Sequence, residues 1–268
     1  MDLTSGGISA GKPTTMRQLL FPLFILLLIA CGWNDDKKML AGNLQPSSLQ
    51  LASDIEVPKG YKRITVAKDS FGEWLRSIQL KKDKHVYLYN GALKENQSAQ
   101  FVVLNIPVGD KDLQQCADAV MRLRAEYLFK EKKYSSIEFR DNTGKSYKWN
   151  GGDDRPAFEQ YLQTVFGWCG TASLEKQLKK IAAIKDIQPG DVFIKGGFPG
   201  HAMIVMDVAA NDKGEKIFML AQSYMPAQDI HIVKNPGDDQ LSPWYKLNDS
   251  TSLVTPEWIF QPGQLRTW

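Results

Sequence analysis

The sequence predicts an α+β fold in which an antiparallel sheet packs against helices. Three observations carry this: apolar residues recur at three- and four-residue spacing through the middle of the chain, the last third is a series of short aliphatic runs separated by turn residues, and no block of about 20 to 50 residues repeats. Helices placed before a run of strands favour an α+β order over the strict alternation of a parallel sheet.

Taken in order, YKRITV at 61–66 is expected as a strand and SFGEWLRSI at 70–78 as a short helix. HVYLYNG at 85–91 reads as a strand ending in an Asn-Gly turn, and FVVLNIPV at 101–108 as a largely buried strand. From Asp112 the run DLQQCADAVMRLRAEYLFKEKK sets Leu113, Cys116, Ala117, Val120, Leu123 and Tyr127 on one face of a helix. Asp112 with Gln115 three residues on reads as a capping box, which starts the helix there and puts Cys116 at its fourth position. That position faces inward near the positive end of the macrodipole, where a thiolate is favoured. A strand SIEF, a turn-rich DNTGKSYKWNGGDD and the helices RPAFEQYLQTVFGWC and TASLEKQLKKIAAI follow, with Pro156 suited to a first helical turn. GDVFIK at 190–195, HAMIVMDVA at 201–209, KIFMLAQS at 216–223 and DIHIV at 229–233 are the expected strands of the last third.

With 268 residues, 43% of them apolar and 24% charged, the chain can bury a sizeable core. A formal charge of +3, from 33 basic against 30 acidic residues, is too even for a nucleic-acid partner without a basic cluster. LKKDKH at 80–85 is short and interrupted, and reads as a solvated turn. At the N-terminus, MRQLLFPLFILLLIAC carries one basic residue, Arg17, before the apolar run Leu19 to Ala30. That run is too short to span a bilayer and matches the apolar region of a signal peptide, and LIAC resembles the bacterial lipobox. The expected organisation is a signal peptide at 1–30, a lipidated Cys31 with a flexible tether at 31–54, and a single α+β domain at 55–268. The expected location is the cell envelope, membrane-anchored outside the cytoplasm, where disulfides are permitted.

Cysteine catalysis needs an activated thiol, a base within reach and a third group holding the base in its tautomer. Cys116, His201 and Gln222 can be nominated for these roles. If NDKG at 211–214 closes an even loop, paired positions sum to an odd number, and His201 and Gln222 share a sheet face. Other readings stay open. Cys116 also reads as a small core residue or as a disulfide partner of Cys169, and His201 as a strand-end histidine bonded to backbone. A non-catalytic pocket built from GGFPGH and AQSYMPAQ, with Tyr224 and Gln228 and joined by Arg122, Arg124 and Tyr127, would bind a cell-wall peptide, a glycan or a partner protein. YKWNGG either stacks on a sugar or closes a turn. No metal-ligand spacing links His85, His201 and His231, and neither a metal nor a cofactor is expected.

The order helix cysteine, strand histidine, next-strand polar residue, with QPGDVFIKG leading into GHAMIV, resembles the NlpC-type papain-like cysteine hydrolases. That resemblance implies a papain-like fold with insertions and cleavage of an envelope peptide or amide bond. The chain departs from it in having Gln115 rather than aspartate before Cys116, and 85 positions between Cys116 and His201. DLQQCADAVMRLRAEYL, GDVFIKGGFPGHAMIVMDVA and LAQSYMPAQDIHI are similar, over nearly all of 55–260, to an uncharacterised bacterial envelope family, domain of unknown function 4846. This second resemblance implies an exported protein and no mechanism.

Overall fold

The computed structural model describes residues 49–268. The expected signal segment, Cys31 and nearly all of the tether lie outside the described residues. Among the described residues, no helix is long and apolar enough to cross a membrane.

The first half is more irregular than its apolar runs suggest. Strand β1 (Tyr61–Arg63) is followed by helix α1 (Phe71–Arg76), whose first turn is capped by the Ser70 hydroxyl accepting from the Glu73 amide at 3.3 Å. The run at 85–91 forms single bridges at Tyr87 and Leu88 rather than a strand, and β2 (Gln100–Val103) ends well before 108. Beyond Leu104 the chain has no ladder partner, and Pro107 has no amide to offer one.

Helix α2 (Cys116–Lys130) begins three residues later than the capping-box reading places it. Asp112 is occupied elsewhere: its Oδ1 accepts from Gln115 Nε2 at 3.0 Å and from the Ala227 amide at 2.6 Å. Gln115 is extended and acts as the N-cap, and its amide donates to Asp118 Oδ2 at 3.0 Å. Cys116 is therefore the first helical residue, not the fourth. Eleven of the fifteen residues of α2 are buried, so it is the central helix rather than a surface one.

Strands β3 (Glu138–Arg140) and β4 (Ser146–Lys148) form a small hairpin. Helix α3 (Arg155–Trp168) is capped by Asp154, which accepts from the Ala157 amide at 3.0 Å, with Pro156 in the first turn. Helix α4 (Thr171–Gln177) ends short of the predicted 184, because Lys179–Lys180 leave it as strand β5 to pair with the end of the chain.

Then come β6 (Val192–Lys195), β7 (His201–Asn211), β8 (Lys216–Gln222) and β9 (His231–Val233), close to the sequence expectation. Four more strands follow: β10 (Trp244–Tyr245), β11 (Leu253–Val254), β12 (Ile259–Phe260) and β13 (Leu265–Thr267). The main sheet is antiparallel throughout, in the order β2-β9-β8-β7-β6-β13-β5, with β1 on β7 and β10 on β8. The fold is α+β, with a large antiparallel sheet and four helices.

β7 reads as almost continuously apolar because both sheet faces are covered. Ala202, Ile204 and Met206 pack with the helices, and Met203, Val205 and Val208 pack with Phe218, Leu220, Tyr245, Leu253 and Phe260 on the other side. Each fully buried aliphatic side chain here contributes about 1.5–3 kcal/mol. The second cover comes from the last thirty residues, where the sequence offers only short, broken runs.

The β7–β8 ladder changes register midway. Near the turn the pairs are Val208 with Phe218 and Asp207 with Met219; beyond a bulge at Met206 they are Val205 with Leu220 and Ile204 with Ala221. Asp207, at the bulge, is buried and receives Arg63 Nε at 2.6 Å and Arg76 Nε at 2.7 Å, from β1 and α1. Its Oδ1 also accepts from the Val208 amide at 2.8 Å.

Candidate functional site

His201 opens β7 directly after the turn Gly196–Gly200. A side chain at Gly200 would overlap Thr171 Oγ1 and the Gly197 carbonyl, so only glycine lets β7 start against α4. The imidazole is fully buried between Tyr224, Trp258 and Phe260, with ring centroids at 4.9, 5.2 and 5.9 Å. Its Nε2 lies 2.8 Å from Gln222 Oε1, while its Nδ1 is buried and has no hydrogen-bond partner. Burial pushes His201 down to about 4, assisted by the Lys94 charge and opposed by the bond to Gln222.

Gln222 is part of a longer chain of contacts. Its Nε2 donates to Glu257 Oε2 at 2.7 Å and lies 3.3 Å from His231 Nε2, directly across the β8–β9 ladder. His231 Nδ1 lies 2.9 Å from the Asp229 carbonyl, which can only accept, so this ring carries its proton on Nδ1 and offers Nε2 as an acceptor. Both amide hydrogens of Gln222 are then committed. Its carbonyl faces His201, whose Nε2 must carry the proton, leaving Nδ1 as a bare lone pair. Reversing the amide would set a carbonyl against a carboxylate and a ring lone pair, with buried groups unmatched at about 1–3 kcal/mol each. Lys94 Nζ closes the far end on Glu257 Oε2 at 2.6 Å.

Cys116 and Cys169 are both buried free thiols, not a disulfide. Cys116 sits at the start of α2, where the helix dipole favours thiolate, yet burial dominates and pushes its thiol up to about 12, with Asp118 adding to the rise. Cys169 is also pushed up to about 12, by burial first and then by Asp141 and Asp118. Burial holds the Asp118 carboxyl well above its ordinary range, and its Oδ1 has no partner.

Both thiols line one cleft of about 310 Å³, which runs from Cys116 and Asp118 past Thr171 and the Gly197–Gly200 turn to Tyr224 and Trp258. Phe198, 97% exposed, and Met225 stand at its rim. His201 lies just behind this wall, under Tyr224 and Trp258. Its ring is on the sheet face away from α2, with Met203 and Val205, so it and Cys116 approach the cleft around the end of the sheet from opposite sides. No hydrogen bond joins Cys116 to His201 among the described residues.

The structure thus brings His201 and Gln222 into contact and puts Cys116 and Tyr224 on the cleft. It does not bring the other nominated pocket residues there. Arg122 is buried in ion pairs with Glu126 at 2.9 Å and Glu159 at 3.1 Å. Arg124 lies over the rings of Phe71, Tyr127 and Trp268, and the Tyr127 hydroxyl donates to the Asp69 carbonyl at 2.9 Å. They point away because α2 is surrounded, and only its first turn reaches the cleft. Gln228 is buried and donates to the Pro226 carbonyl at 3.0 Å, shaping the loop after β8. Trp149 of YKWNGG closes a turn, donating to the Gly152 carbonyl at 2.9 Å. Sequence reasoning missed Lys94, Glu257, His231 and Trp258. Only His231 left a readable signal, a polar residue inside an apolar strand. Among the described residues no group of three His, Cys, Asp or Glu side chains is arranged to hold a metal ion.

A family model described as "Domain of unknown function (4846)" matches residues 51–154 and 148–267. No curated protein and no solved structure matches the chain.

Proposed function

The chain belongs to the family of the domain of unknown function 4846, and since that description names no reaction, we propose from the site itself that the protein is a cysteine hydrolase acting on a peptide or amide bond. One observation carries this reading: a buried imidazole with its tautomer fixed by an amide, its free nitrogen unpartnered, adjoins a cleft whose wall holds a thiol at a helix start. The order of Cys116 at a helix start, His201 at the start of a strand and Gln222 on the next strand also supports this reading.

In this mechanism the Cys116 thiol gives its proton to His201 Nδ1 as Sγ attacks the amide carbonyl carbon. The positive end of α2, where Cys116 is the first residue, favours the developing oxyanion. The C–N bond then breaks, and the imidazolium returns the proton to the leaving amine. Water, deprotonated by the same ring, attacks the thioester, releasing a carboxylic acid and restoring the thiol. With the thiol raised and the imidazole lowered, the resting pair is neutral. Proton transfer is therefore coupled to attack, and the bound substrate must draw Sγ and Nδ1 into contact.

The envelope location and the lipid anchor on Cys31 are proposed from the sequence of residues 16–31. Alkylation of the native full chain by iodoacetamide, read by mass spectrometry, tests the reading: Cys116 should label ahead of Cys169, and His201→Gln should abolish that lead. A native Cys116 that labels no faster than Cys169 would overturn it.

A second reading has its own support. A thiol near 12 is a poor resting nucleophile, and the exposed Phe198 and Met225 suit a non-catalytic cleft that binds an apolar envelope peptide. In that case Cys116→Ser would leave binding and cellular function intact.

A further inference from the structure

We infer that Lys94 and Glu257 are positioning residues for His201, acting through Gln222 to keep the ring's unpartnered Nδ1 free of its proton. Its consequence for chemistry rests on the proposed hydrolase, but the positioning itself does not.

The side chain of Gln222 is the pivot. An amide has two orientations, and only one leaves His201 Nδ1 available as a base. The Asp229 carbonyl fixes His231, and His231 offers Gln222 a weak contact at 3.3 Å. The short bond at 2.7 Å is to Glu257. Glu257 accepts firmly because it is an anion whose charge is matched in place by Lys94 at 2.6 Å, the two side chains being 13% and 7% exposed. Asn96 Nδ2 reaches the other carboxylate oxygen at 3.4 Å. A paired carboxylate has no hydrogen to donate, so it rejects the reversed amide outright.

The placement of Glu257 is built into the fold. It lies in the turn between β11 and β12, next to Trp258, which packs on the His201 ring and lines the cleft. Lys94 comes from the irregular loop before β2, far away in sequence. Neither residue lines the cleft, and neither belongs to a strand of the main sheet. A salt bridge brought from two loops to the back of one glutamine is hard to explain by packing alone, since a buried ion pair is a weak source of stability.

The test is nitrogen-15 NMR of histidine-labelled full-length protein, which reads the tautomer of each ring without any substrate. In the native protein His201 should be protonated on Nε2 and His231 on Nδ1. Glu257→Gln can donate as well as accept, so it should admit the reversed amide and give His201 a measurable population of the Nδ1–H form. Under the hydrolase reading, alkylation of Cys116 should then slow on the order of tenfold, with Cys169 unchanged. Lys94→Met provides a second variant: it should raise the pH at which His201 takes up its second proton. A native His201 carrying its proton on Nδ1, or a tautomer unchanged in Glu257→Gln and a His201 titration unmoved in Lys94→Met, would overturn the inference. A tautomer that responds while Cys116 alkylation does not would uphold the positioning and defeat the hydrolase.

Discussion

His201 faces Gln222 at 2.8 Å because β7 gains one residue between Val205 and Asp207. Near the turn, paired positions of β7 and β8 sum to an even number, which would put these two side chains on opposite faces of the sheet. The extra residue restores the odd sum. Asp207, gripped by Arg63 and Arg76, holds the bulge in place.

Replacing Asp207 should therefore be felt both in stability and at the site. Asp207→Ala strands two arginines that are 25% and 15% exposed and can partly hydrate, so the loss should fall near the low end for a broken buried pair, about 3 kcal/mol in urea unfolding. The Nε2–H of His201 should also exchange faster with solvent. A loss below about 1 kcal/mol would show that the bulge stands without its ion pairs.

The two buried histidines should make the fold acid-sensitive. Burial lowers His201 to about 4 and His231 to about 3, so the unfolded chain binds more protons than the folded one below the ordinary value of 6.5. Their contribution is complete above pH 6.5 and is lost as pH falls toward those values. Asp118 and Asp191 are raised and act in the opposite sense, so the comparison has to be differential. Stability profiles of the native protein and His201→Gln should diverge by about 1.4 kcal/mol per pH unit between pH 6.5 and 4. Parallel profiles would mean His201 is charged inside the fold.

Gly200→Ala should disturb the entry to β7. The added methyl meets Thr171 Oγ1 and two backbone carbonyls, of Gly197 and Lys195, none of which is a free side-chain end, so a cost of about 1–3 kcal/mol is expected in thermal or urea unfolding. The shift should also reach His201, seen as a changed ring resonance. A variant as stable as the native protein would show that the turn can slide away from α4.

Intact mass after alkylation should find Cys116 and Cys169 both reduced. Unfolding in iodoacetamide without reductant should add two labels to these positions. No label at either would identify a bridge and remove the nucleophile.

Legibility followed range in sequence. The long helix and the β6–β9 run are readable from periodicity and turn residues. His201 and Gln222 do share a face, but not for the reason the sequence offers: the loop after Asn211 is odd, and the bulge at Met206, which no local pattern marks, restores the pairing. The start of α2 is not legible because Asp112 has the pattern of a local cap, whereas a distant amide, that of Ala227, claims its carboxylate. The places of Arg122, Arg124 and Tyr127 are hidden for a related reason: a helix with eleven of fifteen residues buried gives no sign of which turn reaches a cleft. Glu257 and Lys94 lie 163 positions apart in loops, and no local pattern signals that such residues meet.

The position of β13 has a consequence for synthesis. The final strand is not at the sheet margin but lies between β6 and β5, pairing Leu265 with Phe193 and Thr267 with Lys179. β6 therefore stays unsealed until residues 265–267 have been made, about seventy positions after it, and a product that lacks β13 would leave β6 with a bare row of amides and carbonyls, open to pairing with the same row on a neighbouring copy.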